Sequence, residues 1–302
     1  MAKIDAWMAA NPWHPRLAPF GVYIVFLALI GLDGLFEKLA EITGANGLFV
    51  SLAEAWRHPA TYIVIYTFQC SLVVAMLWRY RRLTPELNLR FHWTVIPSAV
   101  GLTAAWVALG YGYNLVFDGV ARPEADPHMF EKMRDQSEPL MQLGLWLRLL
   151  GMSLVVPLFE ELFVRSGCLR GMHSARETGL GIAQVLCDMP VIGDWLMNTG
   201  LGHRAMDEQP MFTHQLETTA LGNVSLFAVF ASTVVFMVSH VPRDWMGCVA
   251  CGVVWCWMVW HTNRASLPEE KKLGLGPVVW SHGLTNALLW GFTLWSGDWQ
   301  FL

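Results

Sequence analysis

The chain has 302 residues, of which 54% are apolar and 15% are charged, and its mean hydropathy is +0.39. Soluble domains carry about 25% charged residues, so this composition excludes an ordinary soluble domain. The net charge of −4 is spread along the chain without a basic patch, which excludes nucleic acid as a partner. We therefore expect an all-α fold, a polytopic transmembrane helical bundle in the lipid bilayer, with residues 1–302 as a single integral-membrane domain.

Hydropathy predicts about seven membrane spans. Their approximate limits are Pro19–Phe36, Thr61–Trp78, Trp93–Val116, Leu143–Val164, Leu221–His240, Trp245–His261 and Pro277–Trp295. The densest positive charge, Arg79–Arg82, follows the second span, so the positive-inside rule places this cluster and the N-terminus in the cytoplasm. The segment 168–220 is long for a plain loop, and we expect a short re-entrant or interfacial helix over Gly179–Met197.

An acidic stretch separates the third and fourth spans and is expected on the side of the membrane opposite the arginine cluster. Its acidic residues are Glu124, Asp126, Glu131, Asp135 and Glu138. Three further polar residues, Asp33, Asn114 and Arg148, lie in or near spans. For Asp33 we expect a structural hydrogen bond or a place at a helix end, and for the other two an interfacial position.

The fourth span carries two adjacent carboxylates, Glu160 and Glu161, followed by Arg165. An ionisable group at bilayer depth costs about 2.5–3.5 kcal/mol, so such groups mark functional sites by default. In a helix, Glu161 and Arg165 are i and i+4 and share a face. Glu160 points about 100° away and has no partner within its own segment. We therefore interpret Glu161 as a structural residue and Glu160 as a chemical one.

Two further spans carry polar side chains at helical spacing. Phe236 and His240 are i and i+4, so the phenyl ring can pack on the imidazole. His282 and Asn286 have the same spacing and project from one helix face into the bundle. If dispersed in lipid, these groups and Glu160 would each be a costly orphan, so convergence is the favoured arrangement.

Such a cluster has the parts for hydrolysis of an amide bond. A carboxylate in apolar surroundings becomes a usable general base, assisted by one histidine, while a second histidine and an asparagine amide can stabilise an oxyanion. The sequence has neither a G-x-S-x-G nucleophile motif nor an HExxH zinc motif. We predict no cofactor and no bound metal.

The motifs together resemble those of the CPBP family, the CAAX-processing and bacteriocin-processing membrane endopeptidases. EELFVR (Glu160–Arg165) resembles the family's EExxxR motif, FMVSH (Phe236–His240) its FxxxH motif, and HGLTN (His282–Asn286) its HxxxN motif. The three occur in the family's order and define a motif-bearing catalytic core over residues 143–295. The N-terminal half, with PFGVYIVFLAL (Pro19–Leu29), resembles the subset found beside exosortase systems, which implies a bacterial inner membrane.

This resemblance implies an intramembrane glutamate endopeptidase related to the Ras-converting prenyl protease, acting on a peptide or a lipid-anchored protein. It implies that Glu160 activates water with help from His240, while His282 and Asn286 hold the oxyanion. The supporting residues would be Glu161, Arg165 and Phe236.

Two alternatives remain open from the sequence. In a zinc-dependent protease, Glu160, His240 and His282 would ligate a metal. In a non-catalytic scaffold or a proton-coupled transporter, the same groups would serve in binding or in a proton relay. Simple alternation of spans also places His240 near the opposite end of the membrane from Glu160, which conflicts with a shared site.

Overall fold

The computed structural model describes residues 2–44, 46–117, 130, 133–135 and 137–301, and in these ranges the regular structure is entirely helical. The predicted all-α membrane fold is confirmed. The N-terminal helices are α1 Ala2–Ala10, α2 His14–Ile30, α3 Leu32–Thr43, α4 Asn46–Trp56, α5 Pro59–Tyr80 and α6 Val95–Val116. Two members of the predicted acidic stretch, Asp135 and Glu138, fall within the described residues, whereas Glu124, Asp126 and Glu131 lie outside them.

Three helical segments within the described ranges have the length and hydropathy to cross a membrane on their own: Pro59–Leu83, Val95–Val116 and Pro242–Asn263. The first of these begins at α5, where His58 caps the helix by accepting a hydrogen bond from the amide of Ala60. Taken together, α1 and α2 also meet these criteria of length and hydropathy, although the two helices are bent by 115° relative to each other. Counted as one span, this pair raises the number of candidate spans to four. Within the described residues, the helices at the other expected spans do not meet these criteria of length and hydropathy.

The predicted limits of the first span, Pro19–Phe36, are wrong. α2 ends at Ile30, and a turn at Gly31 separates it from α3. The polar stretch that follows is helical, and α3 and α4 pack on each other there. Asp33 lies in the first turn of α3 and accepts a hydrogen bond from Arg57 at 2.8 Å, so the expected structural role is confirmed.

Residues 138–171 form one uninterrupted helix, here called the long helix. It comprises the α-helical parts α7 Glu138–Leu150, α8 Val156–Glu161 and α9 Leu169–Gly171, separated by the π-helical segments Gly151–Val155 and Leu162–Cys168. The long helix begins at Ser137, whose hydroxyl accepts a hydrogen bond from the Leu140 amide. It is longer than the predicted span Leu143–Val164, and its two π-helical segments were not predicted.

The segment after the long helix contains four short helices rather than one. They are α10 Ala175–Cys187, α11 Ile192–Met197, α12 Gly200–Asp207 and α13 Met211–Thr218. The prediction of one helix over Gly179–Met197 is therefore wrong, because residues 188–191 form a turn between α10 and α11. These helices share a small apolar core of their own, formed by Leu180, Ala183, Leu196, Ala205 and Met211.

The last three helices are α14 Leu226–Val238, α15 Trp245–Asn263 and α16 Gly276–Ser296. α14 is shorter than the predicted span Leu221–His240, since Ser225 caps its start and residues 221–225 are not helical. α16 packs against α6, α15, α8 and the first π-helical segment, while α14 packs against α15 and the second π-helical segment. This arrangement surrounds the middle of the long helix with the helices that carry the histidine motifs.

Candidate active site

Glu161 lies at the centre of a buried charge cluster. Its Oε2 is 3.5 Å from Nε of Arg165, and both side chains are fully buried. The predicted i, i+4 pair is thus confirmed. The guanidinium carbon of Arg165 also lies 5.0 Å from the ring centre of Phe236 and 5.4 Å from that of Trp255. These two aromatic faces stabilise the cation, whose Nε, Nη1 and Nη2 atoms have no hydrogen-bond partner within the described residues.

Glu160 faces away from this ion pair into a cavity of about 280 Å³. His240, His282 and Asn286 line the same cavity, so the structure brings the four sequence-predicted residues together. Glu160 is 9% exposed, and its Oε2 atom has no hydrogen-bond partner within the described residues. A buried carboxylate oxygen without a partner is costly unless a ligand or water satisfies it.

His282 lies between the two glutamates. Its Nδ1 is 2.9 Å from Oε1 of Glu161, and its Nε2 is 3.8 Å from Oε2 of Glu160. Since a carboxylate only accepts hydrogen bonds, Nδ1 carries the proton in the first contact, and this fixes Nε2 as the atom that faces Glu160. The imidazole also stacks on Trp255, with ring centres 4.4 Å apart and an interplanar angle of 24°.

Asn286 is held by a backbone carbonyl that the first π-helical segment leaves free. The amide of Val156 donates to the carbonyl of Gly151, five residues back, instead of to that of Met152. The next residue that could satisfy Met152 in π register is Pro157, which has no N–H. Nδ2 of Asn286 donates to this orphaned carbonyl at 2.8 Å. The proline therefore explains how the asparagine is anchored.

His240 lies just beyond the end of α14, in the turn that leads to α15. Its Nδ1 is 2.9 Å from the carbonyl of Phe236, and the two rings are 4.6 Å apart. The predicted conflict in depth is wrong: α14 has only 13 residues, so its end lies beside the cavity rather than at the far side of the membrane. With the proton on Nδ1, Nε2 of the neutral ring is a hydrogen-bond acceptor.

Sequence reasoning missed several residues that build this site. Arg148, expected at the membrane interface, is half-buried and lines the cavity. Trp255 supports His282 and is itself fixed by a hydrogen bond of 3.1 Å to Ser281. Gly283 lets α16 approach the long helix, because a Cβ atom there would lie 2.3 Å from the carbonyl oxygen of Ser153. A glycine inside the HxxxN motif is the sequence feature that could have predicted this close approach of the two helices.

The polar residues outside the cluster have structural partners. Asn114, also expected at an interface, is half-buried and donates to Oε1 of Gln300 at 3.0 Å. Across the described ranges, no group of three or more His, Cys, Asp or Glu side chains is arranged to hold a metal ion.

Comparison with known families supports a proteolytic role. Residues 142–288 match the sequence model of the family described as type II CAAX prenyl endopeptidase, Rce1-like. The matched range contains the three motifs. It does not include helices α1–α6 or the residues beyond 288. No curated protein and no solved structure matches the chain.

Members of this family act on prenylated or membrane-associated proteins within the membrane. The match does not extend to the N-terminal half, so the resemblance of that half to the exosortase-associated subset stays a prediction. Residues 142–288 form an Rce1-like domain, and this match, together with the apolar helices, supports a membrane protease of the CPBP type.

Proposed function

We propose that this protein is an intramembrane endopeptidase that hydrolyses a peptide bond of a membrane-associated substrate with water activated by Glu160. The observation that carries the proposal is the contrast between two neighbouring carboxylates. Glu161 is paired with Arg165, accepts a hydrogen bond from His282 and does not line the cavity, whereas Glu160 lines it and has no hydrogen-bond partner for Oε2 within the described residues, the nearest cationic atom being Nε2 of His282 at 3.8 Å. A base needs a free lone pair beside space for water, and Glu160 alone of the two has both.

In the proposed reaction, water bound at Glu160 gives its proton to the carboxylate while its oxygen attacks the substrate carbonyl carbon. His240 lines the same cavity, and in this proposal its Nε2, as an acceptor, holds the second proton of the water. The tetrahedral intermediate then collapses, the C–N bond breaks, and Glu160 returns its proton to the leaving nitrogen. No covalent bond to the enzyme forms in this sequence of steps.

The oxyanion is proposed to bind between His282 and Asn286. Since Glu161 holds the Nδ1 proton and supplies a negative charge, His282 can carry a second proton on Nε2 and donate it towards the cavity. Asn286 uses one amide hydrogen for the carbonyl of Met152 and has a second for the substrate oxygen. Donors preset in this way typically contribute about 2.7–4 kcal/mol each to the transition state.

The cavity is not confined to the matched domain. Tyr23, Leu27 and Trp106, from helices α2 and α6, line it together with the motif residues. This supports one integral-membrane domain over residues 1–302 with a catalytic core at 143–295. The exposed arginines Arg79, Arg81 and Arg82 support a cytoplasmic N-terminus, in our proposal in a bacterial inner membrane.

The test uses the purified protein in liposomes with a farnesylated CAAX-type peptide that carries a fluorophore and a quencher on either side of the expected scissile bond. We expect wild-type cleavage and a loss of at least about 1000-fold in Glu160→Gln, within the range of acid–base contributions. The variant should keep its melting temperature, because Oε2 of Glu160 accepts no hydrogen bond within the described residues and its contact with Nε2 of His282 is a long one of 3.8 Å. The matched control is Glu217→Gln, an exposed glutamate on α13. Cleavage by Glu160→Gln at the wild-type rate would refute the proposed base.

A further inference from the structure

Arg148 is a cation inside the bundle that has no counter-ion among the described residues. Its Nη1 donates to the hydroxyl of Tyr62 at 3.2 Å, and its buried Nε has no hydrogen-bond partner. None of the ion pairs in the described part of the chain includes it. A guanidinium in the membrane interior is costly when it is left unpaired, so an anionic ligand in the cavity would stabilise it.

The other arginine that lines the cavity differs in this respect. Nε of Arg243 is 2.9 Å from Oδ1 of Asp244, and the guanidinium also donates to the backbone carbonyl of Gln300. Its charge is therefore neutralised within the protein. Of the two arginines that line the cavity, Arg148 alone has a charge available to a ligand.

The first π-helical segment brings Arg148 onto the same face of the long helix as Glu160. Four residues at intervals of four, Arg148, Met152, Val156 and Glu160, line the cavity. In a regular α-helix, twelve residues would place the last about 120° away from the first. The extra residue of a π turn removes about 100° of that offset, which leaves about 20°. The π-helical segment thus aligns the cation with the proposed base.

On this basis we propose that Arg148 binds the C-terminal carboxylate of the peptide substrate. The inference rests on the proposed function, because the ligand that shares a cavity with a peptide-hydrolysing group is a peptide. The terminal carboxylate is the one formal negative charge that every unmodified peptide carries. With Nη1 engaged by Tyr62, Nε lies on the edge of the guanidinium that can form a two-point contact with a planar carboxylate.

The helix also sets the distance between the scissile bond and the terminus. Arg148 and Glu160 are about 17 Å apart along the axis, from the rise per residue. An extended peptide advances about 3.3–3.6 Å per residue, so about five residues cover that distance. The reach of the two side chains shortens it further. Substrates cut in this mode therefore release a fragment of at most about five residues.

The test compares the farnesylated peptide with its C-terminal carboxamide, in wild type and in Arg148→Gln. We expect the carboxamide to lower wild-type kcat/KM by about 10- to 100-fold, the size of a charge-assisted hydrogen-bonded pair. Arg148→Gln should lower cleavage of the acid by the same factor and leave that of the amide unchanged. Equal losses for both peptides would overturn the proposal and assign a structural role to the arginine.

Two further measurements separate the possible failures. Binding of both peptides to the Glu160→Gln protein, followed by fluorescence anisotropy, repeats the comparison without turnover; equal affinities would overturn the carboxylate site even if the proposed base were correct. Arg148→Gln should not lower the melting temperature, since the wild-type cation is unpaired. An Arg148 effect that appears only in vesicles containing phosphatidylglycerol, whatever the peptide terminus, would assign the site to a lipid phosphate and refute our proposal.

Discussion

Glu161→Gln is expected to destabilise the protein far more than Glu160→Gln, although the two residues are neighbours. The substitution removes the negative charge 3.5 Å from Nε of Arg165 and leaves a fully buried cation. With an effective dielectric constant of about 20, two charges at this separation interact by about 5 kcal/mol. Measured losses on breaking buried pairs are about 3–5 kcal/mol, so the two estimates agree. We expect the melting temperature in detergent to fall by about 10 °C.

Activity should fall for a related but separate reason. The amide oxygen of the introduced glutamine would still accept a hydrogen bond from His282, but it would no longer stabilise a charged imidazole. The difference between a charge-assisted and a neutral hydrogen bond is about 1 kcal/mol, which predicts a loss of about 10-fold in kcat with little change in KM.

A double variant tests whether loss of the ion pair causes the lower stability of Glu161→Gln. Replacing Arg165 by Met at the same time removes the orphaned cation and supplies an apolar side chain for the space beside Phe236 and Trp255. The variant Glu161→Gln/Arg165→Met should therefore be more stable than Glu161→Gln alone while its kcat stays low. Thermal unfolding followed by tryptophan fluorescence gives the stabilities of the wild type, both single variants and the double variant, which together form a double-mutant cycle. Strictly additive losses in the double variant would refute the pairing argument.

Three other perturbations test the residues that position the site and its independence of a metal ion. Pro157→Ala restores an N–H that competes with Asn286 for the carbonyl of Met152, so kcat/KM should fall about 100-fold with the melting temperature kept or raised; full activity would contradict the anchoring role. Gly283→Ala forces a Cβ to 2.3 Å from a backbone oxygen of the long helix and should lower both stability and activity, whereas Gly291→Ala, with open space at its Cβ, should change neither by much. Dialysis against a chelator should leave peptide cleavage unchanged; a loss that zinc restores would favour the metal-dependent alternative.

The sequence was informative where the chemistry depends on local spacing. The i, i+4 rule identified the pair of Glu161 and Arg165 and left Glu160 as the odd carboxylate, and both features appear in the structure. The same rule related Phe236 to His240, whose rings are in contact. These relations span one helical turn, so they need no knowledge of the bundle.

Predictions failed where the helix is irregular or where the partner is distant in sequence. Reading the long helix with a period of 3.6 puts Arg148 on a different face from Glu160, and so its place in the cavity was missed. Trp255 and His282 stack across two different helices. The helix that carries Trp255 has several tryptophans, and its sequence alone does not indicate which of them contacts the histidine. Hydropathy also overestimated the length of α14, because it measures apolar character and not where a cap starts the helix.

The first π-helical segment explains how the long helix positions the residues of the site. A regular helix satisfies all of its interior carbonyls and offers none to a neighbour. Here the π turn before Pro157 frees the carbonyl of Met152 for Asn286, and it realigns Arg148 with the proposed base. In the apolar interior of a membrane, an irregular backbone is tolerated only where protein groups satisfy it. The asparagine thus stabilises the defect that positions it, and neither feature is expected to persist without the other.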